Sequence, residues 1–167
     1  IDVNKNYENL RYEGFGPYNV ALIIETLTDN KNRTASNLRT ILQKSGGRLG
    51  ETGSTTHYFN ICGVLHVEKE KISDEKIIEL SINAGAKDYL STSEYHEILT
   101  EREDFYKIKS KIEENIDSYL YSGIEWRPQS YLNISKEESD GIIKMLETLE
   151  EDDDVQNTFV NCNIHVN

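Results

Sequence analysis

Between Asn30 and Gly50 the sequence holds Lys31, Arg33, Arg39, Lys44 and Arg48 and no aspartate or glutamate. Cations spaced in this way, with no acidic neighbour in the segment, suit one kind of chemistry. They bind anions, and a run of them binds the phosphates of a nucleic acid with a strong dependence on salt. The chain around them is acidic. Its formal charge is −12 over 167 residues, so the +5 of the window leaves −17 on everything outside it. That background repels nucleic acid over most of the surface. It also offers the five cations a second use, as partners for the chain's own carboxylates. Phosphate-binding residues position a protein on a nucleic acid but do not read its sequence.

Lys31 and Arg33 fall at the expected start of a helix, where free backbone N–H groups and the positive end of the dipole also attract anions. Arg39 lies along that helix, and Lys44 and Arg48 near its end, where positive charge suits the dipole. Arg33 and Arg39 are six residues apart and so do not share one stripe. The loop that follows, SGGRLGETGSTT (45–56), carries four glycines, Gly46, Gly47, Gly50 and Gly53. Glycines let backbone N–H groups come close to a phosphate, although the spacing is not that of a P-loop.

The other reactive residue types do not assemble into a site. His57, His66, His96 and His165 form no i, i+4 pair and no HExxH motif, so no metal is expected. There is no G-x-S-x-G elbow to anchor a serine nucleophile. Neighbouring carboxylates such as Glu137–Glu138 and Glu150–Asp154 read as solvated runs, not as a desolvated acid–base pair. No enzyme activity and no cofactor are expected. Cys62 and Cys162 make no CxxC motif and read as two reduced core thiols, which fits a cytoplasmic protein. No apolar run approaches 18 residues, so no membrane span is expected.

YNVALIIETLT (18–28) predicts a strand buried on both faces. Asn30 or Asn32 can cap the following helix, which carries Ala35, Leu38 and Ile41 or Leu42 inward and ends at Gly46–Gly47. TTHYFNI (55–61) reads as a strand. A second block then runs strand 63–68, helix from Ser73 to Gly85, hairpin 87–99, helix from a Thr100–Glu103 capping box, and strand 118–128. Its order is βαββαβ, a ferredoxin-like unit. Afterwards come a strand at 130–134, a helix with a Ser135–Glu138 capping box, a turn at 150–154, and a half-buried strand at 155–166 with Val160, Cys162, Ile164 and Val166 on one face. Without the middle block the remainder reads as β-α-β followed by β-α-β. The expected fold is α+β: two ferredoxin-like βαββαβ-type domains, with residues 63–128 inserted in a discontinuous domain of 1–62 and 129–167. The cluster Tyr7, Tyr12, Phe15 and Tyr18 is expected to pack under the first strand, with Gly14, Gly16 and Pro17 as its entry turn.

LRYEGFGP (10–17), LTDNKNRTASNLRTILQKSGGRLGETGS (27–54), AGAKDY (84–89) and LEEDDDVQN (149–157), in this order, closely resemble the YebC family. The resemblance runs from about Tyr7 to Ile164. Members are described as probable transcriptional regulators; a mitochondrial branch activates translation, and bacterial members have been linked to the ribosome. The resemblance implies an N-terminal helical domain, rich in Lys and Arg and missing from this chain, followed by two α/β domains, the third inserted in the second. One departure stands out. The family has a glycine pair after Gly-Pro where this chain has Tyr18–Asn19, which puts in question a turn that needs glycine there. The leading expectation is a DNA-binding regulator of transcription that uses Lys31, Arg33, Arg39, Lys44 and Arg48. The alternative is a ribosome-associated translation factor using the same helix on ribosomal RNA. A ligand-sensing or protein-docking module is a third, resting on fold analogy. Oligomeric state is left open.

Overall fold

Residues 21–24 (Ala-Leu-Ile-Ile) are at most 1% exposed, and the first sheet is built around them. The computed structural model describes residues 3–165. The strand that contains this run, β2 (Ala21–Thr28), pairs antiparallel with β1 (Glu8–Phe15) over its whole length, from Glu8 opposite Thr28 to Phe15 opposite Ala21. β1 corrects the sequence reading, in which this stretch packed beneath the first strand; it is instead that strand's hydrogen-bonded neighbour. Its Glu8, Arg11, Glu13 and Gly14 dilute the alternation that marks a strand.

The described chain divides into two compact units, residues 1–60 with 127–167, and residues 61–126. In the first, α1 (Lys31–Lys44), the two-residue β3 (Arg48–Leu49), α4 (Lys136–Glu150) and β8 (Val155–Val160) complete a sheet of order β3-β1-β2-β8. The chain order β-β-α-β then α-β replaces the expected β-α-β twice. TTHYFNI begins as a 3₁₀ turn at Thr56–Tyr58, and the stretch 130–134 makes only a single bridge, Leu132 to Cys162. The spatial order is nevertheless ferredoxin-like, with N-terminal β1 filling the place beside β2 that a later strand fills in the standard order. Leu38 and Leu42 of α1 and Ile142, Met145 and Leu149 of α4 close the core over Val20, Leu22 and Ile24. Asn30 caps α1 by accepting from the Arg33 amide, and the Ser135–Glu138 capping box forms as expected. Val160, Cys162 and Ile164 do face this core; Val166 lies outside the described residues.

The second unit runs β4 (Phe59–Glu68), α2 (Asp74–Ala84), β5 (Asp88–Ser91), β6 (Tyr95–Glu101), α3 (Phe105–Glu113) and β7 (Tyr121–Pro128), with sheet order β5-β6-β4-β7. This is the ferredoxin-like βαββαβ arrangement. Ser73 caps α2 and Gly85 ends it at φ +95. Phe105, Ile108 and Ile112 supply the inward face of α3. The Thr100–Glu103 box does not form. Thr100 is buried in β6 and its hydroxyl donates to the Glu101 carbonyl, while α3 starts only after a 3₁₀ turn at Arg102–Asp104. Strand pairing outcompetes a local cap here, since β6 is held by β4 on one side and β5 on the other.

The β1–β2 connection answers the question raised by Tyr18–Asn19. Both residues sit in the left-handed region, at φ +64 and +60. The chain keeps a glycine-type turn without the glycines. Asn tolerates this conformation; Tyr is strained in it by about 1–2 kcal/mol. Gly16 donates to the Val20 carbonyl at 2.8 Å, and Asn161 holds the Ala21 amide at 2.8 Å, so both ends of the turn are fixed. Tyr18→Gly relieves the strain but loosens the unfolded chain. Chemical denaturation should show it equal to the wild type or more stable, by about 0.5 kcal/mol. Tyr18→Val, with a β-branched side chain in the same conformation, should be less stable by about 1 kcal/mol.

Candidate nucleic-acid interface

Helix α1 turns Thr34, Leu38 and Leu42 inward, so the five cations are spread around its other faces and its two ends. Arg33 is not open. Its Nη2 lies 2.9 Å from Asp29 Oδ1 and 2.9 Å from Asp154 Oδ1. The Asp154 carboxylate, only 8% exposed as a residue, also accepts from the Thr34 hydroxyl at 2.8 Å. The two threonine hydroxyls, Thr34 and Thr28, lie 2.8 Å apart, and Thr28 in turn accepts from the Asn30 amide. The Asp154 carbonyl receives the Leu27 amide at 2.8 Å. The segments TDNKNRT and EEDDDV are thus joined at the N-terminal end of α1 by a buried polar network. The acidic run expected to be solvated is partly structural, and Asp154 is its structural member.

The network has electrostatic consequences. Arg33, and after it Lys5 at 3.4 Å, holds the Asp29 carboxyl below its ordinary pKa. Burial, with Asp154 and Glu8 nearby, pushes the Tyr12 phenol up, so it stays protonated and donates to the Lys31 carbonyl at 3.3 Å. Beside the network lies an open cleft of about 740 Å³, with Lys5, Asp29, Arg33, Asp152 and Asp153 among its walls. Its carboxylates outnumber its cations, so it does not suit a phosphate.

The remaining four cations differ from Arg33. Lys31, Arg39 and Lys44 are exposed and, among the described residues, form no ion pair. Arg48 lies with its guanidinium carbon 4.4 Å from the centre of the Phe15 ring. A cation on an aromatic face keeps its charge and its outward edge available.

The glycine loop does not cradle an anion from outside. The Gly46 and Gly47 amides donate to the Gln43 and Leu42 carbonyls, and Gly50 donates to the Glu13 carbonyl. Gly53 donates to the Glu13 carboxylate at 2.7 Å, joined by Thr55 at 2.9 Å and Thr56 at 2.8 Å. The glycine amides that could have approached a phosphate are therefore taken by the protein's own carbonyls and, at Gly53, by the Glu13 carboxylate. Burial by itself raises the pKa of Glu13, but the three amides together bring it below the ordinary value. Hydrophobic periodicity could not reveal Glu13. It is a charged residue at a strand position, buried by a loop about 40 residues later in the chain.

Among the described residues, no group of three His, Cys, Asp or Glu side chains is placed to hold a metal ion. No helix there is long and apolar enough to cross a membrane. His96 is fully buried, with its ring nitrogens at the Tyr89 hydroxyl and the Ile72 carbonyl. His66 meets the buried Glu97 at 2.8 Å.

The family described as "TACO1/YebC second and third domain" matches residues 7–162. A "probable transcriptional regulatory protein" of Pelagibacter ubique is 47% identical over the whole chain, which covers 69% of that relative. Another of the same description, from Zymomonas mobilis, is 46% identical over 95% of this chain and 64% of its own length. Among solved structures, a conserved hypothetical protein of Aquifex aeolicus aligns with all of this chain and 69% of its own, with a TM-score of 0.86 and 34% identity.

Proposed function

Because this chain belongs to the TACO1/YebC family, we propose that it serves as a regulator of gene expression that binds nucleic acid through Lys31, Arg39, Lys44 and Arg48, with Arg33 locking the helix that carries them. One observation carries the reading: Lys31, Arg39 and Lys44 stand exposed without an ion pair among the described residues of a strongly acidic chain, whereas Arg33 is held by two carboxylates. In a background of −17, unanswered cations along one helix and at its two ends are the places where phosphates can be met without repulsion. The relatives' description as transcriptional regulators favours DNA as the target; ribosomal RNA is the alternative, and the same surface suits both. We read the chain as a binding protein and not an enzyme, acting in the cytoplasm, where its two buried thiols stay reduced.

The test is equilibrium binding of the 167-residue chain to duplex DNA and to a ribosomal RNA fragment. Arg39→Glu with Lys44→Glu should weaken binding at least tenfold at low salt and reduce the salt slope by about 2. Both side chains are exposed, so the fold should be unaffected. Unchanged affinity in the double variant would refute the assignment, and the preferred nucleic acid decides between transcription and translation.

A further inference from the structure

Leu65, Val67 and Ile98 turn one face of the second sheet into the core beneath α2 and α3. The residues that alternate with them face away from both helices. Three rings meet on that open face. His66 of β4 stacks on Tyr95 of β6, with ring centres 4.0 Å apart, and its ring lies 5.3 Å from that of Tyr121 of β7. The Tyr121 ring is laid along its own strand, since a Cβ on Gly123 would come within 2.6 Å of its hydroxyl oxygen. Tyr121 is nevertheless exposed, as is Leu90 of β5, which stands opposite Glu97. Carboxylates surround the rings. By register, β4, β5 and β6 present Glu68, Asp88, Glu97 and Glu101 on this face and no lysine or arginine. The lysines next to these strands are answered, Lys69 by Asp74 and Lys87 by Glu101. Glu68 is exposed and stands opposite Tyr95 across the ladder. It also lines a hollow of about 360 Å³ with Leu120 and Glu94.

Aromatic rings ringed by carboxylates repel a phosphate backbone and suit a cation with a flat face. The guanidinium of arginine meets both demands, because it stacks on an aromatic ring and pairs with a carboxylate through its edge. An ammonium answers the charge but has no plane to stack. We propose that this face, through Tyr95, Tyr121 and Glu68, docks an arginine-bearing basic segment of a partner protein. Charge complementarity selects that occupant. Proteins that grip nucleic acid carry basic segments of this kind, so a partner held on the same nucleic acid has the chemistry required. The proposal concerns the second unit alone and does not depend on the reading of α1.

The experiment is fluorescence polarisation with two labelled peptides, one of alternating arginine and glycine and one of alternating lysine and glycine, and with a labelled single-stranded RNA. Wild type, Glu68→Lys, Tyr121→Leu and Glu79→Lys forms of the 167-residue chain are compared at fixed salt. Glu79 is an exposed residue of α2, so its reversal makes the same charge change away from the face. Wild type should bind the arginine peptide about fivefold more tightly than the lysine peptide. Glu68→Lys should weaken the arginine peptide about tenfold, and Glu79→Lys by no more than about twofold. Tyr121→Leu should erase the preference for arginine and leave the lysine peptide unchanged. Glu68 and Glu79 are both exposed, so their pair of variants keeps the fold and tests the site without Tyr121→Leu. Equal binding of the two peptides by wild type, no binding of either, or a Glu79→Lys loss as large as that of Glu68→Lys would overturn the proposal. Two other occupants would also overturn it. RNA affinity that falls in Tyr121→Leu while peptide binding holds would make the face a nucleic-acid platform. A wild-type dimer in sedimentation that Glu68→Lys dissociates would give the face to a second copy. RNA binding unchanged by all three variants is the expected result, and it leaves the α1 reading to its own charge-reversal test.

Discussion

Replacing Glu13 with Gln is expected to lower the unfolding free energy by about 3 kcal/mol, the largest loss among the side-chain changes considered. The carboxylate accepts from the amides of Gly53, Thr55 and Thr56 and from the Thr55 hydroxyl, in a residue 2% exposed. A glutamine presents one oxygen to the same donors and turns an NH₂ towards N–H groups that the carboxylate had satisfied. The pH dependence should change as well. The folded pKa of Glu13 lies below its ordinary value, so the unfolded chain binds the proton more readily. The carboxylate's contribution is therefore complete above the unfolded pKa of about 4.3 and is lost as pH falls below that, through the folded pKa. Urea denaturation between pH 3 and 7 should show the wild type gaining on Glu13→Gln as pH rises, with a constant gap above about pH 5. Asp29 and Asp74 have lowered pKa values too, so the variant should keep a residual slope of the same sign. A gap independent of pH would contradict the assignment of the loop's anchor to the ionised carboxylate.

The second large effect is expected at Asp154. Asp154→Ala removes the partner of Arg33 and Thr34 and should cost about 2 kcal/mol, because the Thr34 hydroxyl is buried and the Arg33 pairing is partly exposed. Thr34 can still donate to the Asn30 carbonyl at 3.1 Å, which limits the loss. The functional sign is opposite to the stability sign. With one of its two carboxylates gone, Arg33 adds positive charge to the start of α1, so nucleic-acid affinity at low salt should hold or rise in a less stable protein. Thermal unfolding and binding measured on the same sample test this. A parallel fall in affinity would mean that the network positions the binding surface and does more than withhold Arg33 from it.

The parts of the molecule legible in the sequence are those set by local chemistry. The helix stops at Gly46 and Gly85, the caps at Asn30, Ser73 and Ser135, and the buried run from Ala21 to Ile24 each follow from a few adjacent residues, and all are present. The errors fall where distant segments decide. Thr100 and Glu103 have the spacing of a cap, but Thr100 is paired with Gly63 of β4 and stays in β6. β1 is polar along one side because Glu13 is buried by a loop, not by a sheet or helix, and the glycines of that loop look like a phosphate cradle until their acceptors are seen. The same holds for the candidate site. Composition marks all five cations alike. Only the meeting of residues 29, 33 and 154 separates the one that is answered from those that are not. The Tyr18–Asn19 departure was visible as a missing glycine pair, and the structure shows that the backbone kept its conformation and altered what the turn displays.

The most direct measurement of the central claim is the salt slope of nucleic-acid binding by the 167-residue chain in two neutralised variants. One replaces Lys31, Arg39 and Lys44 with Gln; the other replaces Arg33 alone. The account predicts a clear slope for the wild type, a slope reduced by about 2–3 in the first variant, and a slope close to wild type in the second. A flat slope in the wild type, or an Arg33→Gln variant that loses as much as the triple replacement, would contradict it.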